Sequence, residues 1–342
     1  MEKSINIFRD IMFRMNIYIE KGTHVDLGNY NIVIDPTKKH NDADLTLFSH
    51  GHSDHYAISM LKTRNLKILS EETLQILNNR IKKASNKIRN YKIIEENQTL
   101  EFGDDKEIKI TAFNAGHCVG SLQFLIQLNG RKIVYTGDFC LENRMGYRRG
   151  KIIEGTDLII DSTYFDKKYQ FPPRNETYTE IFKWIKSRLV DKNQSNLIIF
   201  GRRLGTCQEL TSLLNFCSLK DQYNIKIYTH PLVYFVNNIH SDYYENLGDY
   251  EYLKNPIANR TEFGTGTSKS EKSIYIAPFF LSFKKQIEKK FPEHNLENFG
   301  VITGWTLNKR FYIKGFPLTS HGDYNQIMYY KSKSRAKEVY FF

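Results

Sequence analysis

The chain has 342 residues, with 40% hydrophobic and 25% charged side chains and a formal net charge of +11. That composition excludes collagen-like, low-complexity and disordered chains, and the length supplies core for one large domain or two ordinary ones. Four cysteines without a C-x-x-C pair argue against a disulfide framework, and no run approaches the roughly 18 apolar residues of a membrane span. The expected setting is therefore intracellular, cytoplasmic or, in a eukaryote, nuclear, with no membrane partner. The positive charge suits an anionic partner, nucleic acid first.

In chain order, Ile17–Ile19, His24–Leu27 and Asn31–Ile34 read as short strands, with Gly22 and Gly28-Asn29 as turns. Asp44–Phe48 is an apolar run that stops at Ser49-His50, and Glu71–Ile94 is periodic enough for a helix. Ile108–Phe113, Leu122–Leu128 and Lys132–Thr136 are strands, the last two joined by the hairpin turn Asn129-Gly130. Leu158–Asp161 is a further strand. Then the character changes. Glu176–Val190 reads as helix, Asn196–Phe200 as strand, Gly201–Gly205 as turn and Thr206–Phe216 as helix, a unit of α/β folds. Ile225–Thr229 and Ser273–Ala277 look like parallel strands, and 263–270 like a mobile loop. Arg310–Ile313 and Lys337–Phe342 read as strands, and Tyr324–Ser332 as helix. The chain thus reads as a β-rich layer, an inserted α/β segment, and a return to the first layer.

The chemistry concentrates in Ser49-His50-Gly51-His52-Ser53-Asp54-His55, three imidazoles and a carboxylate within six residues. Only a tight loop after a strand can aim all four at one point. Neutral imidazole and carboxylate are ligands zinc accepts, and Mn2+ accepts them as well. His50 and His52 would share one metal, and Asp54 and His55 a second. Two later turns complete the set: Gly116-His117 between two strands, and Gly137-Asp138 at a strand end. A carboxylate between two dications can bridge them.

H-x-H-x-D-H, then A-G-H, then T-G-D in this order resemble the metallo-β-lactamase fold. The resemblance implies an α/β chain, an αββα sandwich with metals at the strand ends. Asp161-Ser162-Thr163-Tyr164 and Pro317-Leu318-Thr319-Ser320-His321-Gly322-Asp323-Tyr324 resemble two signatures of the β-CASP nucleases, the nucleic-acid-processing branch of that fold. Phe171-Pro172 is similar to the Artemis-type DNA-repair nucleases, and Ser320-His321-Gly322-Asp323 to the ligase-associated exonucleases. The implied division is 1–164 as the first part of the metallo-β-lactamase domain, 165–300 as an inserted α/β β-CASP cap, and 301–342 as the return.

From that resemblance Asp161 is expected to accept the free N–H of a ligating imidazole, and His321 to donate a proton or hydrogen bond near the scissile phosphate. Asp54 joins them as catalytic. Ser162 and Thr163 are expected at the substrate. Arg202 and Arg203, at the start of a helix, are placed to meet phosphate. Arg144, Arg148, Arg149 and Lys151 form a second basic cluster. Tyr228, His230, Tyr234 and Phe235 fit core packing better than base stacking. RNA-cleaving relatives carry a further His after a last strand; Lys337–Phe342 looks like that strand, and either the His is lacking or the sequence is cut just before it. A tight first zinc site and a weaker second one are expected. The function so read is a metal-dependent nuclease on DNA, a 5′ exonuclease in repair or processing. The alternatives are an RNase acting on RNA ends, a small-molecule hydrolase of the same fold, and an inactive nucleic-acid-binding subunit.

Overall fold

The computed structural model describes residues 16–81, 88–254, 272–279 and 295–342. The expected loop at 263–270 lies outside them. Eighteen strands form three six-stranded sheets among the described residues. The first sheet holds β1 (Asn16–Ile19), β2 (Thr23–Asp26), β3 (Asn31–Ile34), β4 (Leu45–Leu47), β5 (Leu66–Leu69) and β6 (Tyr91–Ile93), in that order. The second has β7 (Thr99–Phe102), β8 (Ile108–Asn114), β9 (Leu122–Leu128), β10 (Arg131–Tyr135) and β11 (Asp157–Ile160), closed on the β11 side by β18 (Glu338–Phe341). The third runs β14 (Glu251–Tyr252), β13 (Ile225–Thr229), β15 (Lys272–Pro278), β12 (Asn196–Gly201), β16 (Phe299–Ile302) and β17 (Lys314–Phe316), and all its pairings are parallel.

The chain divides into two units. One holds the described residues up to Leu141 with Arg149–Thr163 and Gln326–Phe342; the other holds Glu142–Arg148 and Tyr164–Asn325. In the first unit, the inner faces of two sheets share one apolar layer that includes Val25, Ile32, Leu47, Ile110, Phe124 and Ile133. Alternation makes this possible: in β8 every second side chain is buried. Helices α1 (Ile58–Leu61) and α2 (Glu71–Arg80) cover the outer face of the first sheet through Met60, Leu61, Leu74 and Leu77. The C-terminal helix, Tyr324–Lys333, covers the second through Ile327 and Tyr330. The result is the expected αββα sandwich. Asn129 and Gly130 both have positive φ, the geometry of a two-residue I′ hairpin turn.

In the second unit the described α-helices are α3 (Arg174–Lys186), α4 (Thr206–Asn215), α5 (Ser218–Gln222) and α6 (Pro231–Tyr243). Ile181, Ile185, Leu210, Leu213 and Val233 press helices on one face of the parallel sheet. Phe200, Tyr228, Tyr275 and Phe299 fill the other. With β16 and β17 added beside β12, this sheet takes residues beyond the expected boundary at 300, and the unit extends to Asn325.

Two local expectations change. The helix begun at Glu71 ends at Arg80, because Ile81 turns to extended backbone (φ −90°, ψ 96°), and Tyr91–Ile93 then joins the first sheet beside β5. The expected strand Arg310–Ile313 gives way to β17 immediately after it, where the chain pairs with β16. The strand-like residue Ile313 is instead buried side-on in the core.

Candidate metal centre

Five strands of the first unit end in a polar side chain. β3 leads into Asp35, β4 into Ser49-His50, β8 into Gly116-His117, β10 into Gly137-Asp138 and β11 into Asp161. The turns are tightly built. Gly116 has φ +72°, and a Cβ there would come within 2.3 Å of the Gly150 amide nitrogen and 2.5 Å of the Cys140 carbonyl oxygen. Only glycine fits before His117. The turn closes on side chains: the Gly116 amide donates to Asn114, and the His117 and Cys118 amides to Ser121 Oγ. The Leu122 amide donates to the Ser49 carbonyl, which ties the His117 turn to the His50 loop.

His50, His52, His117 and Asp138 converge, all of them buried. His50 Nε2 lies 3.0 Å and His117 Nε2 3.1 Å from His52 Nδ1. Asp138 Oδ2 lies 3.4 Å from His50 Nε2 and 3.5 Å from His117 Nε2. A tetrahedron of ligands about 2.0–2.1 Å from a central ion has edges of about 3.3 Å. The measured edges bracket that value, so this cluster can hold a divalent cation. Asp138 Oδ2 is also 3.4 Å from His55 Nε2. One carboxylate oxygen therefore faces both the three-histidine set and His55, as a bridging ligand must.

Burial, and after it the neighbouring His55, push His50 below its ordinary value, which keeps it in the neutral form that binds metal. Burial also works against charge on His55, but Asp138 and Asp35 outweigh it and hold the ring well above its usual range. Positive charge is thus favoured between these carboxylates, and a divalent cation supplies it.

Asp35 is the residue that sequence reasoning missed. It is buried, and it accepts from His55 Nδ1 at 2.9 Å, Tyr135 Oη at 2.9 Å and the Ser49 amide at 2.7 Å. Ser49 Oγ also donates to it and lies 2.9 Å from His50 Nδ1. Asp35 thereby orients His55 directly and His50 through Ser49. Asp35 thus stands against an imidazole N–H in the manner expected of Asp161. Its backbone stands at φ 49°, a strained conformation for a residue with a Cβ. The available signal was a carboxylate directly after the strand Asn31–Ile34 and directly before Pro36.

Asp161 is buried at the end of β11. Its amide donates to Thr136 Oγ1, its carboxylate accepts from the Thr163 amide, and it approaches Asp138 to within 4.8 Å. A cavity of about 240 Å3 opens here, lined by Asp35, Asp54, His55, Asp138, Asp161 and Thr163 among others. Asp54 is exposed at its wall, outside the buried four-residue cluster. Ser162 donates its amide and hydroxyl to the Phe342 carbonyl, so its hydroxyl is committed to the end of the β18 segment.

Most of the other expected residues belong to the second unit, with Arg149 and Lys151 in the first. Arg202 is exposed and Arg203 half-buried before α4, but the helix start is already satisfied internally. The Gly205 amide donates to Gln208 Oε1 and the Cys207 amide to the Arg202 carbonyl. The second basic cluster divides. Arg144 is fully buried on Glu209, Arg148 stands over the Tyr244 ring, and Lys151, in the first unit, pairs with Glu96. Tyr228 is in the core, His230 caps α6 by accepting from the Leu232 amide, and Tyr234 packs on Tyr250 and Tyr252. His321 follows β17, its amide bonded to Thr319 Oγ1 and its ring edge-on to Tyr164.

Residues 27–186 match the beta-lactamase superfamily domain. The chain is 34% identical over 92 residues to protein artemis of Homo sapiens, which covers 25% of this chain and 13% of that one. It is 30% identical over 199 residues to cleavage and polyadenylation specificity factor subunit 3 of Dictyostelium discoideum, 51% of this chain and 25% of the other. It is 24% identical over 249 residues to an RNase J-like protein of Methanocaldococcus jannaschii, 68% and 57% of the two. The matches span from about an eighth to just over half of these relatives' lengths. A crystal structure of a protein of unknown function from Enterococcus faecalis V583 superposes with TM-score 0.61 at 12% identity, over 96% of this chain and 92% of that one, a likeness of fold.

Proposed function

We propose, from the match of residues 27–186 to the beta-lactamase superfamily domain and from the relatives named above, that this chain is a zinc-dependent β-CASP nuclease that hydrolyses DNA from the 5′ end. The observation that carries the reading is the set His50, His52, His117 and Asp138 with tetrahedral edges, shared through Asp138 with His55. Zinc in such a site, when bound, supplies a nucleophile from water at neutral pH and polarises a phosphoryl oxygen.

The chain's own residues do the rest. His50, His52 and His117 hold the first position, and Asp54, His55 and Asp138 the second. Asp35 fixes the His55 ring and, through Ser49, the His50 tautomer. Asp161 adds negative charge beside Asp138 and so favours a second cation. His321 is assigned the proton donor's role on its Ser-His-Gly-Asp signature. Among the described residues Asp54 and His55 complement Asp138, and Asp54 is exposed, so the second site is the weaker. Thr163, at the cavity wall, and the exposed Arg202 are proposed substrate contacts. The net charge of +11 favours a polyanion over a small uncharged amide or thioester.

RNA is the second reading. It has its own support: the RNase J-like relative matches 68% of this chain. Single-stranded DNA and RNA labelled at either end, each with a 5′-phosphate or 5′-hydroxyl, decide between them when zinc or manganese is supplied. The expected result is 5′-labelled mononucleotide released from DNA. Faster decay of RNA transfers the assignment to RNA, and hydrolysis of neither, beside turnover of a lactam or thioester, ends the nuclease reading.

A further inference from the structure

We propose that Arg174 is a positioning residue for His321, and that the segment from Tyr169 to Arg174 is a brace that sets the loop carrying it. The meaning given to His321 rests on the nuclease reading; the brace rests on contacts within the second unit.

Three backbone-directed hydrogen bonds join the segment to the loop. Arg174 Nη2 donates to the Thr319 carbonyl at 3.0 Å, two residues before His321. The Phe171 amide donates to the Asp323 carboxylate at 3.3 Å, two residues after it. The Tyr324 amide donates to the Tyr169 carbonyl at 3.1 Å. The loop is therefore held on both sides of the imidazole, and the His321 amide bonds back to Thr319 Oγ1 at 3.1 Å.

Arg174 is itself fixed from behind. Its Nη1 donates to Glu209 Oε1 at 2.6 Å and its Nε to Glu142 at 3.0 Å. Glu209, on α4, is fully buried and also takes the Tyr178 hydroxyl at 2.5 Å and Arg144 Nη1 at 3.2 Å. Desolvating a carboxylate and two guanidinium groups is costly and gives little net stability, so such a network is better explained by the geometry it imposes. The planar guanidinium fork serves two carboxylates and a carbonyl at fixed angles. A lysine ammonium keeps the charge and loses the fork. The Phe171-Pro172-Pro173-Arg174 sequence is rigid for the same end: consecutive prolines restrict the chain leading into Arg174, which opens α3.

The test uses the metal-loaded chain. Arg174→Lys leaves Glu209 a cationic partner, so folding is retained and the thermal midpoint checks it. On end-labelled single-stranded DNA, the variant is expected to lose about 10- to 100-fold in kcat with KM within about twofold. In the Arg174→Lys/His321→Ala pair it should add nothing to the loss from His321→Ala, because a brace has no effect once its side chain is gone. Amide hydrogen exchange across 318–323 should quicken. Unchanged kcat, or a double variant that loses the product of the two single effects, overturns the assignment. If the unaltered chain cleaves neither DNA nor RNA, the nuclease reading fails. The exchange measurement then still decides the brace, and unchanged protection in Arg174→Lys overturns it.

Discussion

In the first unit the working side chains hang from strand ends and meet one another across short turns; in the second, the buried polar groups meet across helices far apart in sequence. Asp35, His50, His117, Asp138 and Asp161 each lie within three residues of a strand end, so sheet register and short turns bring them to one edge. Glu209 lies mid-chain on a helix and gathers Arg144, Arg174 and Tyr178 from 65, 35 and 31 residues away. In the first arrangement the donor atoms of His50, His52, His117 and Asp138 face a common point. In the second, charge faces counter-charge: Arg144 and Arg174 meet Glu209, and Arg174 also meets Glu142. A cluster of buried titratable groups is a metal centre when its donors face a common point, and a structural knot when they face one another.

That contrast can be broken at the knot first. Glu209→Ala leaves two guanidinium groups without their buried carboxylate, and the expected cost is about 3–5 kcal/mol of stability. Chemical denaturation measures it. A loss below about 1 kcal/mol, the range of an exposed pair, would show that the network is not desolvated in solution.

His240 sharpens the same side. Burial pushes its ring down to about 4, below its ordinary 6.5, against Tyr147 and Tyr244. The folded state therefore stays neutral where the unfolded chain takes up a proton. Its contribution is present above about 6.5 and lost as pH falls through that value to about 4. At about 1.4 kcal/mol per pH step the full loss is about 3 kcal/mol. Unfolding midpoints at pH 7 and pH 4.5 should drop further in the wild type than in His240→Phe; equal drops would remove His240 from the pH response.

On the metal side, Asp35→Asn keeps the shape and removes the charge that holds His55 and, through Ser49, His50. Outer carboxylates of this kind are worth about 10- to 100-fold in metal affinity or activity. Activity at saturating zinc against limiting zinc separates the two; no change in either would make Asp35 a structural strut. The smallest effect is expected from Arg202→Ala, since Arg202 is exposed and the helix start beside it is internally satisfied. Nucleic-acid affinity should weaken by under about 1 kcal/mol, with the salt slope reduced by about one. An unchanged slope takes Arg202 out of the interface.

How much was readable beforehand follows the same division. The ligand loop His50–His55 packs its donors within six residues, and His117 and Asp138 sit in glycine turns that periodicity already separated from strands. Local sequence therefore located the centre. Asp35 escaped because a lone carboxylate before proline looks like a turn residue; only the parallel pairing of β3 with β4 brings it under His50 and His55. Arg144 was grouped with Arg148, Arg149 and Lys151 because its charge is visible in the sequence and Glu209, 65 positions away, is not recognisable as its partner. The helix from Glu71 was drawn too long for a related reason: Tyr91–Ile93 is a strand by virtue of pairing with β5, which local periodicity does not report.

The central claim is that His50, His52, His117 and Asp138 grip a divalent cation and share it through Asp138 with a second position. Zinc titration of the purified chain, with metal content counted by elemental analysis, tests it directly, beside Asp138→Ala. The account predicts one tight and one weaker site in the wild type, and in the variant loss of the weaker site with the tight one weakened. Material that takes up no zinc at any concentration, or a variant that binds it as well as the wild type, would contradict it.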